Sequence, residues 1–354
     1  MTNLNLTSKS KIQASLFLSR RFWLALATII ILLIIPSVVH NAYIMRTIIS
    51  IIIAVPLALG QNLITGYCGM LTLGQAAFYG LGAYTSALLV TRLGVPWIIA
   101  LVLSGVAACL FGVVLSLPCL RVSSDYLTLV TIGFGQIFYI VALNWMDLTR
   151  GPMGLPAIPP PQIGPFVFKS QTSIYFLYLC ITALGYLFMH RLTNSHIGRA
   201  LIAIRENETG ASAMGINVAN YKILTFAFGS LWGGISGSML AHFLQFVGPS
   251  SFTMNESLLH MQMAILGGLG SMPGSIIGAA ILVSLPQLFK PIYQYQMLFN
   301  GVLMVLLLTW RPQGILGKSA VGTNVRDNYL KKLFGHGGKS KDTKSTLSNG
   351  ASDD

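Results

Sequence analysis

Residue types that usually carry catalysis are sparse in this sequence. Its 354 residues include nine Asp and Glu and six His. None of these stands in H-E-x-x-H or in a paired-carboxylate arrangement, and no serine is framed as G-x-S-x-G. The nearest approach to a phosphate-binding loop, G-x-x-x-x-G-K-S/T, is 338–340, but Leu333 occupies the place of its first glycine. We predict no catalytic residue, no metal site and no cofactor.

Glycines concentrate in two apolar parts of the chain. Residues 66–82 hold five glycines, and a second group interrupts the apolar stretch 257–290. Glycine is costly within a helix unless two backbones approach closely or the helix breaks, and broken membrane helices occur where they line a cavity or are buried in protein. We favour helix breaks beside a pathway over tight packing alone. The candidate residues are Gly66, Gly69, Gly74, Gln75, Gly267, Gly268 and Gly270.

Polar side chains inside apolar segments form a second group of candidates. Amide and imidazole groups are expensive in lipid, so we expect them to point into a helical bundle. For each one alone, an interhelical hydrogen bond is a simpler explanation than a contact with a substrate. These residues are Asn62, Gln75, Gln136, Asn144 and His242.

The polar loop, residues 198–217, is the third candidate. Its first half, 200–213, has a helix-forming composition, and an amphipathic helix that docks into a groove is a known recognition mode. The alternative is a linker that lies on the membrane, which two neighbouring acids disfavour beside an anionic leaflet. The apolar side would be Ala200, Ile204, Ala211 and Met214, and the polar side Arg205, Glu206 and Glu208.

The composition places these candidates in a membrane protein. The chain is 54% hydrophobic and 9% charged, with a mean hydropathy of +0.70, whereas a soluble domain has about a quarter charged residues. Sixteen of the 22 Lys and Arg lie in 1–21, 191–222 and 311–354, outside the apolar runs. This is the distribution expected of cytoplasmic segments. The net charge of +13 therefore indicates orientation and not a nucleic-acid surface.

The apolar runs predict an all-α, polytopic fold of about ten membrane segments, some of them broken or re-entrant. A spanning helix needs about 20 apolar residues, and the glycines and proline of 267–274 divide 257–290 into two shorter segments. An even number of crossings keeps both basic ends on the cytoplasmic side. The segments are 22–40, 44–64, 73–92, 96–118, 126–146, 173–190, 222–246, 257–268, 275–290 and 296–311.

This segment map divides the chain into three parts. Residues 1–21 are a cytoplasmic N-terminal segment, and 22–317 are the transmembrane domain, which includes the cytoplasmic loop 191–221. Residues 318–354 are a basic cytoplasmic tail whose composition predicts disorder. The outer loop 147–172 contains six prolines, so we predict that it has no helix.

Five stretches, in order, resemble the permeases of branched-chain amino acid ABC transporters. The first, 69–84, matches the family's glycine-rich motif, with Thr72 where serine is usual. The resemblance spans roughly 44–317 and is closer to the LivM-type subunit than to the family's other permease type. The other stretches are 148–155, 198–218, 266–280 and 299–317.

The resemblance implies a role for the polar loop. In such permeases a loop of this kind carries the EAA motif, whose helix docks on a cytoplasmic ATPase. Glu208 and Gly215 are the nearest matches to the motif's Glu and Gly, although seven residues separate them where six are usual. It also implies a bacterial inner-membrane location, a homologous permease partner, two cytoplasmic ABC ATPases and a periplasmic substrate-binding protein. The implied coupling residues are Arg205, Glu206, Glu208, Gly215 and Asn217.

Three functions remain open from the sequence. The leading one is the permease subunit of an ABC importer for branched-chain or other neutral amino acids. The second is the same machine carrying urea or short amides. The third is a stand-alone channel or secondary carrier, which the scarcity of acids in the membrane segments disfavours.

Overall fold

The fold is known from a computed structural model of the chain. Segment 1–21, most of the predicted segment 22–40 and the tail 318–354 lie outside the residues that the structure describes. The described residues are 35–37, 41–120, 124–164, 166–288, 296–311 and 313–317.

The described part is mainly helical, and a short β-hairpin lies between two of the long helices. In chain order the elements are α1 (Ala42–Asn62), α2 (Gln75–Leu93), α3 (Trp97–Cys119), α4 (Ser124–Asn144), α5 (Met146–Thr149), β1 (Gln162–Ile163), β2 (Phe166–Val167), α6 (Gln171–Asn194), α7 (His196–Glu206), α8 (Glu208–Ala213), α9 (Val218–Leu244), α10 (Met254–Gly267), α11 (Met272–Leu288) and α12 (Gln296–Trp310).

Several of these helices are suited to a bilayer. Within the described residues, five are long and apolar enough to cross a membrane. This confirms the predicted class, a helical membrane protein. The five candidate spans are Ala42–Tyr67, Trp97–Cys119, Tyr126–Asn144, Gln171–Asn194 and Val218–Leu244.

Helix α9 lies at the centre of the bundle because glycines let its neighbours approach its backbone. A Cβ added at Gly82 of α2 would lie 2.2 Å from the carbonyl oxygen of Gly234, and one at Gly60 of α1 would lie 2.6 Å from that of Gly229. Such small-residue contacts are the usual means of close helix packing in membranes. They bring α1 and α2 together around α9.

The loop 147–172 contains more regular structure than the sequence predicts. The helix α5 covers its first residues, a 3₁₀ turn follows at Gly151–Met153, and β1 pairs with β2. The prediction of no helix is wrong at the start of the loop because its prolines begin at Pro152. Proline is tolerated in the first turn of a helix, where its missing N–H has no partner to lose.

Candidate functional site

The first break, residues 63–74, separates α1 from α2. Helix α1 continues into a π-helical turn at Leu63–Tyr67, and residues 68–74 form no helix. Gly69 has a φ of +79°, a conformation that L side chains rarely adopt. The buried Gln61 holds the segment in place, since its Nε2 donates to the carbonyl oxygen of Thr72 at 2.9 Å.

The second break, residues 268–271, separates α10 from α11. Gly268 and Gly270 have φ values of +114° and +78°. Gly267 closes the turn, because a Cβ there would lie 2.1 Å from the carbonyl oxygen of Gly274 in the next helix. The glycines of this group therefore permit a tight reversal between two helices whose backbones touch.

Asn62, at the end of α1, joins the two breaks. Its Oδ1 accepts from the Gly270 amide at 2.9 Å, and its Nδ2 donates to the carbonyl oxygen of Ser271 at 2.9 Å and to Ser275 Oγ at 2.7 Å. The side chain is fully buried. The breaks are also in direct contact, since a Cβ at Gly66 would lie 2.4 Å from the Gly270 nitrogen.

The polar loop folds as two helices and not as the single helix predicted over 200–213. Asn207 is extended between α7 and α8, with φ −157° and ψ 106°, and its side chain accepts from the Gly210 amide at 2.8 Å. This N-cap starts a new helix in a new direction. Met214 is consequently 84% exposed, and the prediction that it lies on the loop's apolar side is wrong.

Arg205, the penultimate residue of α7, contacts both breaks. Its Nη1 donates to the carbonyl oxygen of Gly66 at 2.5 Å. Its Cγ would lie 2.6 Å from a Cβ at Gly69, and its Nη1 3.2 Å from one at Gly270. The carbonyls at the end of a helix lack partners within that helix, so the guanidinium satisfies one that the break leaves open.

The sequence groups Arg205 with the exposed acids of the loop, and the structure instead turns it inward, half-buried. A general rule of helix ends could have suggested this contact from the sequence. A cation near an unpaired helix C-terminus is favoured both as a donor and by the helix dipole. Only the three-dimensional arrangement shows which helix end it meets.

The other predicted loop residues are exposed. Glu208 forms an ion pair with Lys222 of α9 at 2.7 Å. Asn217 caps α9 by accepting from the Asn220 amide at 3.2 Å. Gly215 has a φ of +83° with open space around it. Together with Glu206, these residues give the loop a polar outer surface.

A cavity of about 190 Å³ lies between the polar loop and the first break. Burial raises the pKa of the Cys68 thiol to about 11, so this thiol is neutral at pH 7. The cavity is lined by Cys68, Gly69, Met70, Cys119, Leu127, Ile204, Arg205, Glu206, Asn207, Glu208 and Lys222.

Helix α4 is bonded to the first break from the other side. Thr131 Oγ1 accepts from the Leu73 amide at 3.1 Å, and Thr128 Oγ1 donates to the carbonyl oxygen of Leu71 at 3.0 Å. Gly74 lies against α4 as well, because a Cβ there would be 2.9 Å from the carbonyl oxygen of Thr131. The first break therefore connects the polar loop to α4.

The polar membrane residues divide into two groups. Asn62, Gln75 and His242 are buried, as predicted; Gln75 Nε2 donates to the carbonyl oxygen of Gly229 at 3.1 Å, which holds it between α2 and α9. Gln136 and Asn144 are exposed on α4. For these two, the prediction that they point into the bundle of this chain is wrong.

The arrangement of these residues does not indicate a metal site. Within the described residues there is no group of three or more His, Cys, Asp or Glu that could hold a metal ion. The arrangement is instead suited to transmit movement, because Arg205 of the polar loop points inward and contacts both helix breaks.

Comparison with known proteins agrees with this geometry. Residues 43–308 match the family described as the permease component of branched-chain amino acid transport systems. The chain belongs to this family. The resemblance carried by the five stretches is confirmed, and the permease is a transport subunit and not an enzyme.

The permease has relatives in Salmonella typhimurium and Escherichia coli. It is 35% identical over 283 residues to the high-affinity branched-chain amino acid transport system permease protein LivM of Salmonella typhimurium (strain LT2), covering 73% of this chain and 67% of the relative. The same values hold for LivM of Escherichia coli (strain K12). It is also 27% identical over 284 residues to the permease protein LivH of the same Salmonella strain, covering 75% of this chain and 91% of the relative. No solved structure matches the permease.

Proposed function

We propose that the chain is one of two membrane subunits of an ABC importer for branched-chain or other neutral amino acids. It forms the translocation pathway with a homologous permease, and it works with two cytoplasmic ABC ATPases and a periplasmic substrate-binding protein. Its LivM and LivH relatives are named as branched-chain amino acid transport permeases, which supports the choice of substrate. The scarcity of charge in its membrane segments suits passage of a neutral solute without tight binding.

The proposed topology has ten membrane segments in the bacterial inner membrane. Both termini are cytoplasmic, with 1–21 as the N-terminal segment, 22–317 as the transmembrane domain and 318–354 as the tail. The loop 191–221 is cytoplasmic. The basic residues at both ends and in this loop support the orientation.

The contact between Arg205 and the breaks carries the proposed mechanism. Closure of the ATPases on ATP pushes α7 and α8, and Arg205 passes that displacement to the carbonyl of Gly66 and to Gly69 in the first break. The first break is suited to this task because residues 68–74 form no helix that would have to unwind when the segment moves. The first break then shifts the pathway between outward and inward openings.

The ATPase contacts are assigned to the outer surface of the polar loop. Glu206, Glu208, Gly215 and Asn217 are exposed there and are free to meet another protein. Arg205 acts from the inner side of the same loop, as the link to the breaks.

Reconstitution tests this function. The full complex in proteoliposomes, with binding protein outside and ATP inside, should accumulate labelled leucine, and omission of the ATPases should abolish accumulation. Accumulation of urea but not leucine would favour the short-amide importer. Transport that persists without ATPases would make the chain a stand-alone channel or carrier and would overturn the proposal.

A matched pair of glycines tests the assignment of the loop. Gly215 and Gly94 both have positive φ, +83° and +62°, and both have open space around them, so alanine strains each in the same way. Gly215→Ala should lower uptake per ATP hydrolysed, whereas Gly94→Ala should leave that ratio unchanged. Equal ratios in the two variants would remove the loop from the coupling path.

A further inference from the structure

Two of the membrane-spanning helices expose long faces of different chemistry. On α3 every exposed residue is apolar, and the buried face takes its serines, Ser104 and Ser116. Such a face is suited to lipid. The exposed residues of α3 are Ile98, Ile99, Val102, Leu103, Val106, Leu110, Phe111, Val114, Leu117 and Pro118.

The exposed face of α4, which we call the α4 face, is not purely apolar. It follows the helical repeat along the whole span and includes Gln136 near the middle and Asn144 at the end. Among the five spans described, α4 alone exposes a carboxamide near its centre. The α4 face consists of the exposed residues Tyr126, Leu129, Gln136, Ile137, Ile140, Val141 and Asn144, and the half-buried Gly133 lies among them.

A carboxamide at the centre of a span has no water to bind and is unfavourable in hydrocarbon. Gly133 lies one turn away with no atom within 4 Å of an added Cβ, so another helix backbone can approach closely there. Small residues beside a hydrogen-bonding side chain are typical of helix–helix contacts in membranes. In its most apolar stretch, only 17% of the residues of α4 are buried within this chain, against 61% in the corresponding stretches of the spans that contain α1 and α9.

We propose that the α4 face is the surface on which a second, homologous permease chain packs. The inference rests on the proposed function and adds to it the place of the subunit contact. A different chain is favoured over a second copy because two permease proteins of a branched-chain amino acid transport system in one Salmonella strain, LivM and LivH, are both similar to this chain.

This placement continues the path from the polar loop. Thr128 and Thr131 bond α4 to the first break, which Arg205 contacts from α7. Displacement of the loop thus reaches the subunit contact through one segment of backbone. Gln136 donates to, or accepts from, the partner chain across that contact.

A matched pair of residues tests the proposal. Ile137 on α4 is 62% exposed and Leu110 on α3 is 61% exposed, so they differ in the face they occupy and not in accessibility. The photo-crosslinking residue benzoylphenylalanine replaces each in the full complex in native membranes. We expect Ile137 to yield an adduct with the second permease, and Leu110 to yield adducts with lipid.

The outcomes that overturn the proposal are distinct. They are an Ile137 adduct with lipid alone, an adduct with a second copy of this chain, or adducts with the second permease from both positions. In parallel, Ile137→Trp should abolish co-purification of the second permease and Leu110→Trp should not; equal retention contradicts the proposal. ATP-dependent leucine uptake by the unmodified complex is measured alongside, so that failure of the importer function is distinguished from failure of the α4 contact.

Discussion

The two breaks differ in what holds them. The first is bonded to Arg205 of α7 and to Thr128 and Thr131 of α4. The second is bonded to Asn62 of α1. In addition, the backbone amides of residues 315–316 donate to the last two carbonyl oxygens of α10, the helix that precedes this break. The first break therefore joins two elements with exposed surfaces, whereas the second is anchored within the core of this chain.

This difference assigns the breaks different mechanical roles. A segment held at both ends by elements with exposed surfaces, which we propose meet other chains, is suited to pass displacement from one to the other. A segment anchored to a fully buried side chain at a helix end, Asn62, is suited to act as a fixed support. The variants that follow test whether the second break, as the support, determines stability while the first break, as the link between the polar loop and α4, determines coupling.

Gly66→Ala should have the largest effect, because Gly66 lies where the two breaks touch. Its Cβ would lie 1.9 Å from Asn62 Oδ1 and 2.4 Å from the Gly270 nitrogen, and the latter is backbone that cannot rotate away. Overpacking of this kind costs about 3 kcal/mol. Thermal unfolding in detergent should show a large drop in midpoint, or the protein should fail to accumulate.

Gly301→Ala in α12 is the control for that variant. Nothing lies within 4 Å of its added Cβ, and alanine is favoured over glycine within a helix by roughly 0.5–1 kcal/mol. Its midpoint should be equal to that of the parent or higher. Equal losses in both variants would contradict the close contact between the breaks.

Asn62→Leu should have the next largest effect and should act on the support. It leaves the Gly270 amide and the Ser275 hydroxyl without their partner, and a buried group so stranded costs roughly 1–3 kcal/mol. The free energy of unfolding should fall by about 2 kcal/mol. Asn194→Leu is the control, since that exposed side chain bonds within its own helix and its loss should have little effect.

Glu208→Gln should change stability least. Its ion pair with Lys222 is 58% exposed on the Glu208 side, and exposed pairs contribute less than about 1 kcal/mol. The unfolding midpoint should scarcely move, and raising the salt concentration should reduce even that difference. A loss as large as that of Asn62→Leu would show that the loop is part of the support.

Composition and glycine spacing predict much of this fold. The apolar runs place α1, α3, α4, α6 and α9 because about 20 apolar residues are required to cross a bilayer. The breaks can be expected near their glycines since glycine adopts positive φ without strain.

The contacts of the site could not be predicted in the same way. The π turn at Leu63–Tyr67 depends on bonds from Gln61 and Asn62 to segments 11 to 213 residues away in sequence. The inward direction of Arg205 depends on the packing of α7 against the first break, where its partner Gly66 is 139 residues away in sequence. The sequence alone does not distinguish the exposed Gln136 from the buried Gln75, because both are carboxamides in apolar helices.

Arg205→Ala, measured as leucine accumulated per ATP hydrolysed in the reconstituted complex, tests the link most directly. A hydrogen bond to a charged group contributes about 1.5–3 kcal/mol, and 1.4 kcal/mol corresponds to a factor of ten. The ratio should therefore fall by about tenfold while ATP hydrolysis continues. Arg199→Ala, an exposed arginine of the same helix, should leave the ratio unchanged. An unchanged ratio in Arg205→Ala would contradict the claim that this side chain connects the polar loop to the breaks.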